Sequence, residues 1–170
     1  MLDPFPVPQV GLLSQAVKPF ADFFSLTTLP LHIHEVLLAF LLYHYTNTVF
    51  SPYVSARFFP KTYNSFNKRT KINWDVHVVS LVQSTLINAL ALWVMWTDEE
   101  RAEMNWKGRV WGYTGSGGLV QAMAAGYFIW DLWITAVHVN IFGPGALAHA
   151  ISAITVFSLG FVCACPPLPL

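Results

Sequence analysis

The residue in this chain best placed to do chemistry is Asp131, which stands between Trp130 and Leu132 in the apolar run GYFIWDLWITAVHV, residues 126–139. Tyr127, Asp131, Thr135 and His138 follow one another in steps of four, four and three residues. Such steps hold side chains on one face of a helix. A charged aspartate at the centre of a membrane helix costs about 2.5–3.5 kcal/mol on insertion scales. Its carboxyl must therefore be protonated, or paired with a cation or several donors. An ionisable residue at such a depth is a functional candidate by default, with structural pairing as the alternative. His149 is the partner the sequence offers, because it lies on the next apolar segment beyond Gly143-Pro144-Gly145, a sequence expected to form a tight connection.

A second stripe accompanies the first. His77, Ser80, Ser84 and Asn88 recur at steps of three and four, and Gln83 borders them. Polar groups of this kind in hydrocarbon face other helices, where they either act as hydrogen-bonding glue or wall a polar cavity that contacts a lipid headgroup. On the segment carrying His149, Ser152 and Thr155 stand among small alanines that permit close packing. Asp131 and His149 make two ligands, short of the four of a closed zinc site, so neither a metal nor another cofactor is expected. Glu35, His32 and His34 sit at the edge of an apolar segment and read as a solvated rim. The glycine cluster at 115–118 reads as a turn.

These side chains need helices that cross a bilayer to position them. The 170 residues are 55% hydrophobic and 11% charged, whereas a soluble domain carries about 25% charged residues. The net charge of +0 argues against a nucleic-acid binder. A membrane helix takes about 20 mostly apolar residues, and four segments approach that length: 32–50, 76–96, 117–139 and 145–162. Residues 1–30 form a proline-containing lead-in, with a short interfacial helix expected over residues 12–24. No signal peptide is visible at the start of the chain, which begins with an acid and is broken by prolines. The expected fold is all-α, a polytopic transmembrane helix bundle of about four spans, over residues 31–162. Residues 163–170 are expected to be an irregular tail, in which Cys163 and Cys165 are spaced for neither an ordinary disulfide framework nor a zinc site.

Charge sets an expected orientation. The connection at 51–75 holds Arg57, Lys61, Lys68, Arg69 and Lys71 against the single acid Asp75. The positive-inside bias places it in the cytosol. The connection at 97–112, where Arg101, Lys107 and Arg109 are offset by four acids, falls on the opposite side with the N-terminus.

Three motifs in order, NWDVHVVSLVQSTLI (73–87), GYFIWDLWI (126–134) and GALAHAISAITVFSLGF (145–161), resemble the TLC-domain family. This is the multi-span module of ceramide synthases, translocation-associated membrane proteins and lipid-regulating proteins of the endoplasmic reticulum. The resemblance is greatest to its small fungal and animal TLCD-type members. It implies an integral, multi-pass protein of the endoplasmic reticulum involved in lipid homeostasis or lipid binding. The candidate polar-cavity residues are Asp131, His149, Gln83, Ser80, Ser84, Tyr127 and Thr135, and the implied partners are membrane lipids, other membrane proteins or a second copy. Asp131 matches the acid of the family's aromatic-Asp-Leu pattern. The departures are equally specific. Ceramide synthases carry an adjacent histidine pair and an adjacent aspartate pair, whereas here Ala150 follows His149, and Gln83 stands where many members place a histidine. That weighs against acyl transfer, which stays open as an alternative with His149 as general base, as does a structural or trafficking role. Members usually continue through further helices, so the expectation is a C-terminally truncated bundle.

Overall fold

The structure is a computed structural model that describes residues 3–5 and 11–162. The tail expected at 163–170, with both cysteines, lies outside the described residues, as does part of the lead-in. Helix α1 (Leu12–Phe23) forms where the interfacial helix is expected. Helix α2 (Leu29–Tyr45) starts with Pro30 in its first turn, where a missing N–H costs nothing. It runs into a widened π-turn, Thr46–Phe50, and then α3 (Ser51–Phe58). Pro52 accounts for the widening: it lacks an N–H, and its ring would press on the carbonyl four residues back.

The two expected connections are largely helical. Residues 51–75 hold α3, α4 (Pro60–Ser65) and the first two turns of α5 (Lys68–Thr97). Asn67 starts α5 by accepting the Thr70 N–H at 2.9 Å. Residues 97–112 hold α6 (Glu99–Glu103) and α7 (Trp106–Trp111), started by the side chains of Asp98 and Asn105. Thr114 caps α8 (Gly115–Val137) by accepting the Gly117 N–H. The glycine cluster is therefore the first turn of a helix. Helix α9 (Val139–Ser158) closes the run, followed by a 3₁₀ turn, Leu159–Phe161. Helix α8 ends at His138, and a single helical turn starting at Val139 leads into the Gly-Pro-Gly sequence. As the sequence predicts, Gly-Pro-Gly separates two helical segments there, with Gly143 at a φ of 85°, a conformation glycine adopts without strain.

Among the described residues, three stretches are long and apolar enough to cross a membrane: Lys68–Thr97, Trp106–Val137 and Val139–Phe161. The first expected span is α2, whose 17 residues are at the short limit for a crossing and are lengthened by the π-turn. Helix α8 is the centre of the bundle. It runs parallel to α2, with Gly118 against His32 and Gly126 against Ala39. It runs antiparallel to α5, where Ser80 meets Tyr127 and Asp98 meets Ser116, and antiparallel to α9, where Gln121 meets the Phe157 carbonyl. The reason is local: Gly118, Ala122, Ala124, Ala125 and Gly126 are all buried, and small residues let helix backbones approach closely. A Cβ on Gly126 would lie 2.5 Å from the Ala39 methyl and from the Val36 carbonyl. Ala39, Tyr43, Val79, Trp130 and Ile134 fill the middle, and Ala21, Leu26, Val36, Ala125 and Phe161 fill the end where α1 docks.

Candidate functional site

The α8 stripe points inward only in part. Thr135 is buried, and Tyr127 and Asp131 are half-buried. The Tyr127 hydroxyl lies 3.1 Å from Ser80 Oγ on α5, and its ring meets Tyr43 edge-on at 5.4 Å. Asp131 is within electrostatic range of both Tyr127 and His149, but no hydrogen bond or ion pair within 4 Å joins the two sides of the expected Asp131–His149 pair. His149 is exposed on α9, as are Ser152 and Thr155, whose hydroxyls turn back onto the carbonyls of Ala148 and Ile151.

The α5 stripe divides. Gln83 is buried and Ser80 faces α8, whereas Ser84, His77 and Asn88 are exposed and bond carbonyls of their own helix at 3.0, 2.7 and 2.7 Å. The buried face of α5 is the line Val76, Val79, Gln83 and Val94. This apolar stripe sits about one position off the polar one, and its larger burial sets the rotation of the helix. Of the seven candidates, the structure brings Ser80, Tyr127 and Asp131 into one neighbourhood, buries Gln83 and Thr135, and leaves Ser84 and His149 on outer faces.

At the end of α8 the polar line opens into a cavity of about 400 Å³, lined by Lys68, Arg69, Ile72, His138, Asn140 and Ile141. The first turn of α5 supplies Lys68 and Arg69, and the α8–α9 reversal supplies His138, Asn140 and Ile141. Arg69 Nη2 donates to the Ile141 carbonyl at 3.1 Å, which fixes the guanidinium across the cavity. A guanidinium has five N–H donors, so donors remain. Among the described residues, no acid lines the cavity. The nearby carboxylate of Asp75 is engaged elsewhere: it accepts from Ser51 Oγ at 2.6 Å and from the Tyr63 hydroxyl at 3.0 Å. Lys71 lies over the Tyr63 ring at 5.1 Å. Burial, the hydrogen bond to Asp75 and the charge of that carboxylate push the Tyr63 hydroxyl up to about 12.

A second polar cluster closes the opposite end of the bundle, and here the solvated-rim expectation is overturned. His32 and Glu35 are 0% and 2% exposed. His32 Nδ1 is 2.6 Å from Glu35 Oε2, and its Nε2 is 2.7 Å from the Tyr113 hydroxyl. The backbone of α8 at Gly118 makes room for the ring, so the residues that read as an edge are covered by α8 and by the segment of residues 3–5. Asp98 is also buried there and accepts a short hydrogen bond from Ser116. The sequence held only one signal for this cluster, the concentration of His32, His34 and Glu35 within four positions. The partner residues Tyr113 and Ser116 are ordinary-looking and distant along the chain.

The family signature described as the TLC domain matches residues 73–168. The chain is 40% identical over 150 residues to an uncharacterized TLC domain-containing protein of Schizosaccharomyces pombe, covering 88% of this chain and 49% of that protein. It is 30% identical over 138 residues to the topoisomerase I damage affected protein 4 of Saccharomyces cerevisiae, covering 80% of this chain and 47% of that protein. The chain thus spans about half the length of these curated relatives. No solved structure matches.

Proposed function

The chain belongs to the TLC-domain family of membrane proteins, and from that premise we propose that it binds membrane lipid by the headgroup and serves lipid homeostasis in the endoplasmic reticulum. The observation that carries this reading is the cavity of Lys68, Arg69, His138 and Asn140. It lies where the spans emerge on the basic side of the bundle, two cations face it, and Ile72 and Ile141 give it an apolar wall. A phosphate-bearing headgroup fits those features: charge and donors meet the phosphate, while the acyl chains run along the apolar outer faces of α5 and α9. Basic pockets between membrane helices take anionic headgroups in this way. The Ser80–Tyr127–Asp131 neighbourhood lies deeper along α8 and gives polar contacts to a headgroup that enters the bundle. Association with other membrane proteins or a second copy belongs to the same reading, through the exposed faces of α5 and α9.

The test is native mass spectrometry of the purified chain with phosphatidylserine or phosphatidylcholine. Preferential retention of the anionic lipid, lost on the double substitution Lys68→Ala and His138→Ala, is expected. Equal retention of both lipids, or retention unchanged by the substitutions, would sink the reading. Arg69 is left intact in this test because it also ties the α8–α9 reversal to α5.

A further inference from the structure

We propose that Asp3, His34 and Glu35 form a binding site for a divalent transition-metal ion of the zinc type at the end of the bundle opposite the basic cavity. One ligand atom from each of the three residues lies within 4.8 Å of the other two. Ligands at about 2.0–2.2 Å around a tetrahedral zinc ion stand roughly 3.3 Å apart, so a modest closure of the group completes the geometry. Two carboxylates and an imidazole are ordinary donors for zinc, and three protein ligands leave a fourth position open for water.

An independent observation points to a cation. Glu35 Oε1 is buried and has no hydrogen-bond partner. A buried carboxylate oxygen without a donor is costly, and a metal ion removes that cost. The other oxygen, Oε2, is held by His32 Nδ1 at 2.6 Å. His32 Nδ1 also lies 3.6 Å from Asp3 Oδ2, and its Nε2 is 2.7 Å from the Tyr113 hydroxyl. Tyr113 and His32 thus orient the Glu35 carboxylate, as outer hydrogen bonds commonly do for metal ligands. Gly118 enforces the arrangement, because any side chain there would strike the His32 ring.

The other two ligands are also positioned by their own hydrogen bonds. His34 Nε2 donates to the Phe5 carbonyl at 2.8 Å, and a neutral imidazole that donates from one nitrogen keeps a lone pair on the other. Asp3 Oδ1 accepts the Phe5 backbone N–H at 2.8 Å. Residues 3–5 are folded over the start of α2, and the ion would fasten them there. Along the sequence only Asp131 and His149 stand out as paired ligands, two short of a closed zinc site. Asp3, brought to α2 by the fold, supplies the third ligand.

The test uses the whole chain purified in detergent, stripped with a chelator and titrated with zinc chloride by calorimetry. One zinc ion per chain is expected, with affinity at least tenfold weaker in Asp3→Asn and in His34→Ala. These two residues are partly exposed, so their variants should fold even if Glu35→Gln does not. His32→Gln, which alters the contacts that orient Glu35 but removes no ligand, should weaken binding by about tenfold or more. Absence of zinc binding by the wild type, or binding unchanged in Asp3→Asn and His34→Ala, overturns the proposal. Neither result bears on the lipid cavity, which shares no residue with this site.

Discussion

Asp98 shows what one buried carboxylate does for this bundle. It is 2% exposed, starts α6 by accepting the Arg101 N–H at 3.3 Å, and accepts a hydrogen bond from Ser116 of α8. Burial alone would raise its pKa. The hydrogen bonds from Ser116, Thr114 and the Arg101 backbone outweigh burial and hold the carboxyl well below the usual range. The charged form is therefore favoured in the folded chain. Its stabilisation is fully present above the unfolded carboxyl value of 3.8 and is lost as pH falls below it. Asp98→Ala should cost about 2 kcal/mol at neutral pH, the scale of a hydrogen bond to a charged group, read as a lower melting temperature in detergent. The gap to wild type should narrow below pH 3.8; a gap independent of pH would show that the charge plays no part. Tyr63 behaves oppositely, because its raised value favours the neutral phenol. Stability from this group is present below pH 10 and lost as pH rises through about 12. The absorbance titration of wild type minus Tyr63→Phe should accordingly centre near pH 12, and a midpoint at 10 would contradict the contact with Asp75. Neither residue stands out in the sequence. Their partners are 18 and 12 positions away, and both lie in stretches that composition marks only as polar connections.

At the scale of elements, the small-residue face of α8 was readable from Ala122 and Gly126, four residues apart in an apolar run. The structure buries both and sets Gly126 against α2. Gly126→Leu should therefore destabilise more than the same change at Gly145, where nothing lies within 4 Å of an added Cβ. Overpacking a tight contact costs about 1–3 kcal/mol, and comparing the melting temperatures of the two variants tests it. Equal losses would mean that α2 and α8 do not meet at Gly126. The rotation of α5 was harder to read. Its polar residues and its valines form two stripes about one position apart, and periodicity alone does not say which faces the bundle. Serine, asparagine and histidine can satisfy themselves on carbonyls one turn back, as Ser84, Asn88 and His77 do. Valine gains only by burial, so the apolar stripe decides. The break between the last two segments was legible, because Gly143 and Pro144 carry the strong breaking signal and Gly143 takes a φ of 85° there.

For the whole molecule, antiparallel runs place chemically different ends on opposite faces of a membrane. One end gathers Arg57, Lys61, Lys68, Arg69 and Lys71 around α3, α4 and the start of α5. The other gathers residues 3–5, the buried His32–Glu35–Tyr113 cluster and α6 and α7, where acids offset the bases. Positively charged connections stay in the cytosol, so the basic end and its cavity should face the cytosol and the His32 end the lumen. A glycosylation acceptor inserted between α6 and α7 should therefore be modified in microsomes, and one inserted between α4 and α5 should not. Changing Lys61, Lys68 and Lys71 together to glutamine should produce a mixed population, because it removes three of the five charges that set the bias while Arg69 still bridges to the α8–α9 reversal. Modification of the α4–α5 acceptor in the unaltered chain would invert the assignment and move the basic cavity to the lumenal leaflet. Since the lipid reading depends on an anionic headgroup reaching Lys68, and anionic lipid is concentrated in the cytoplasmic leaflet, that inversion would also count against it.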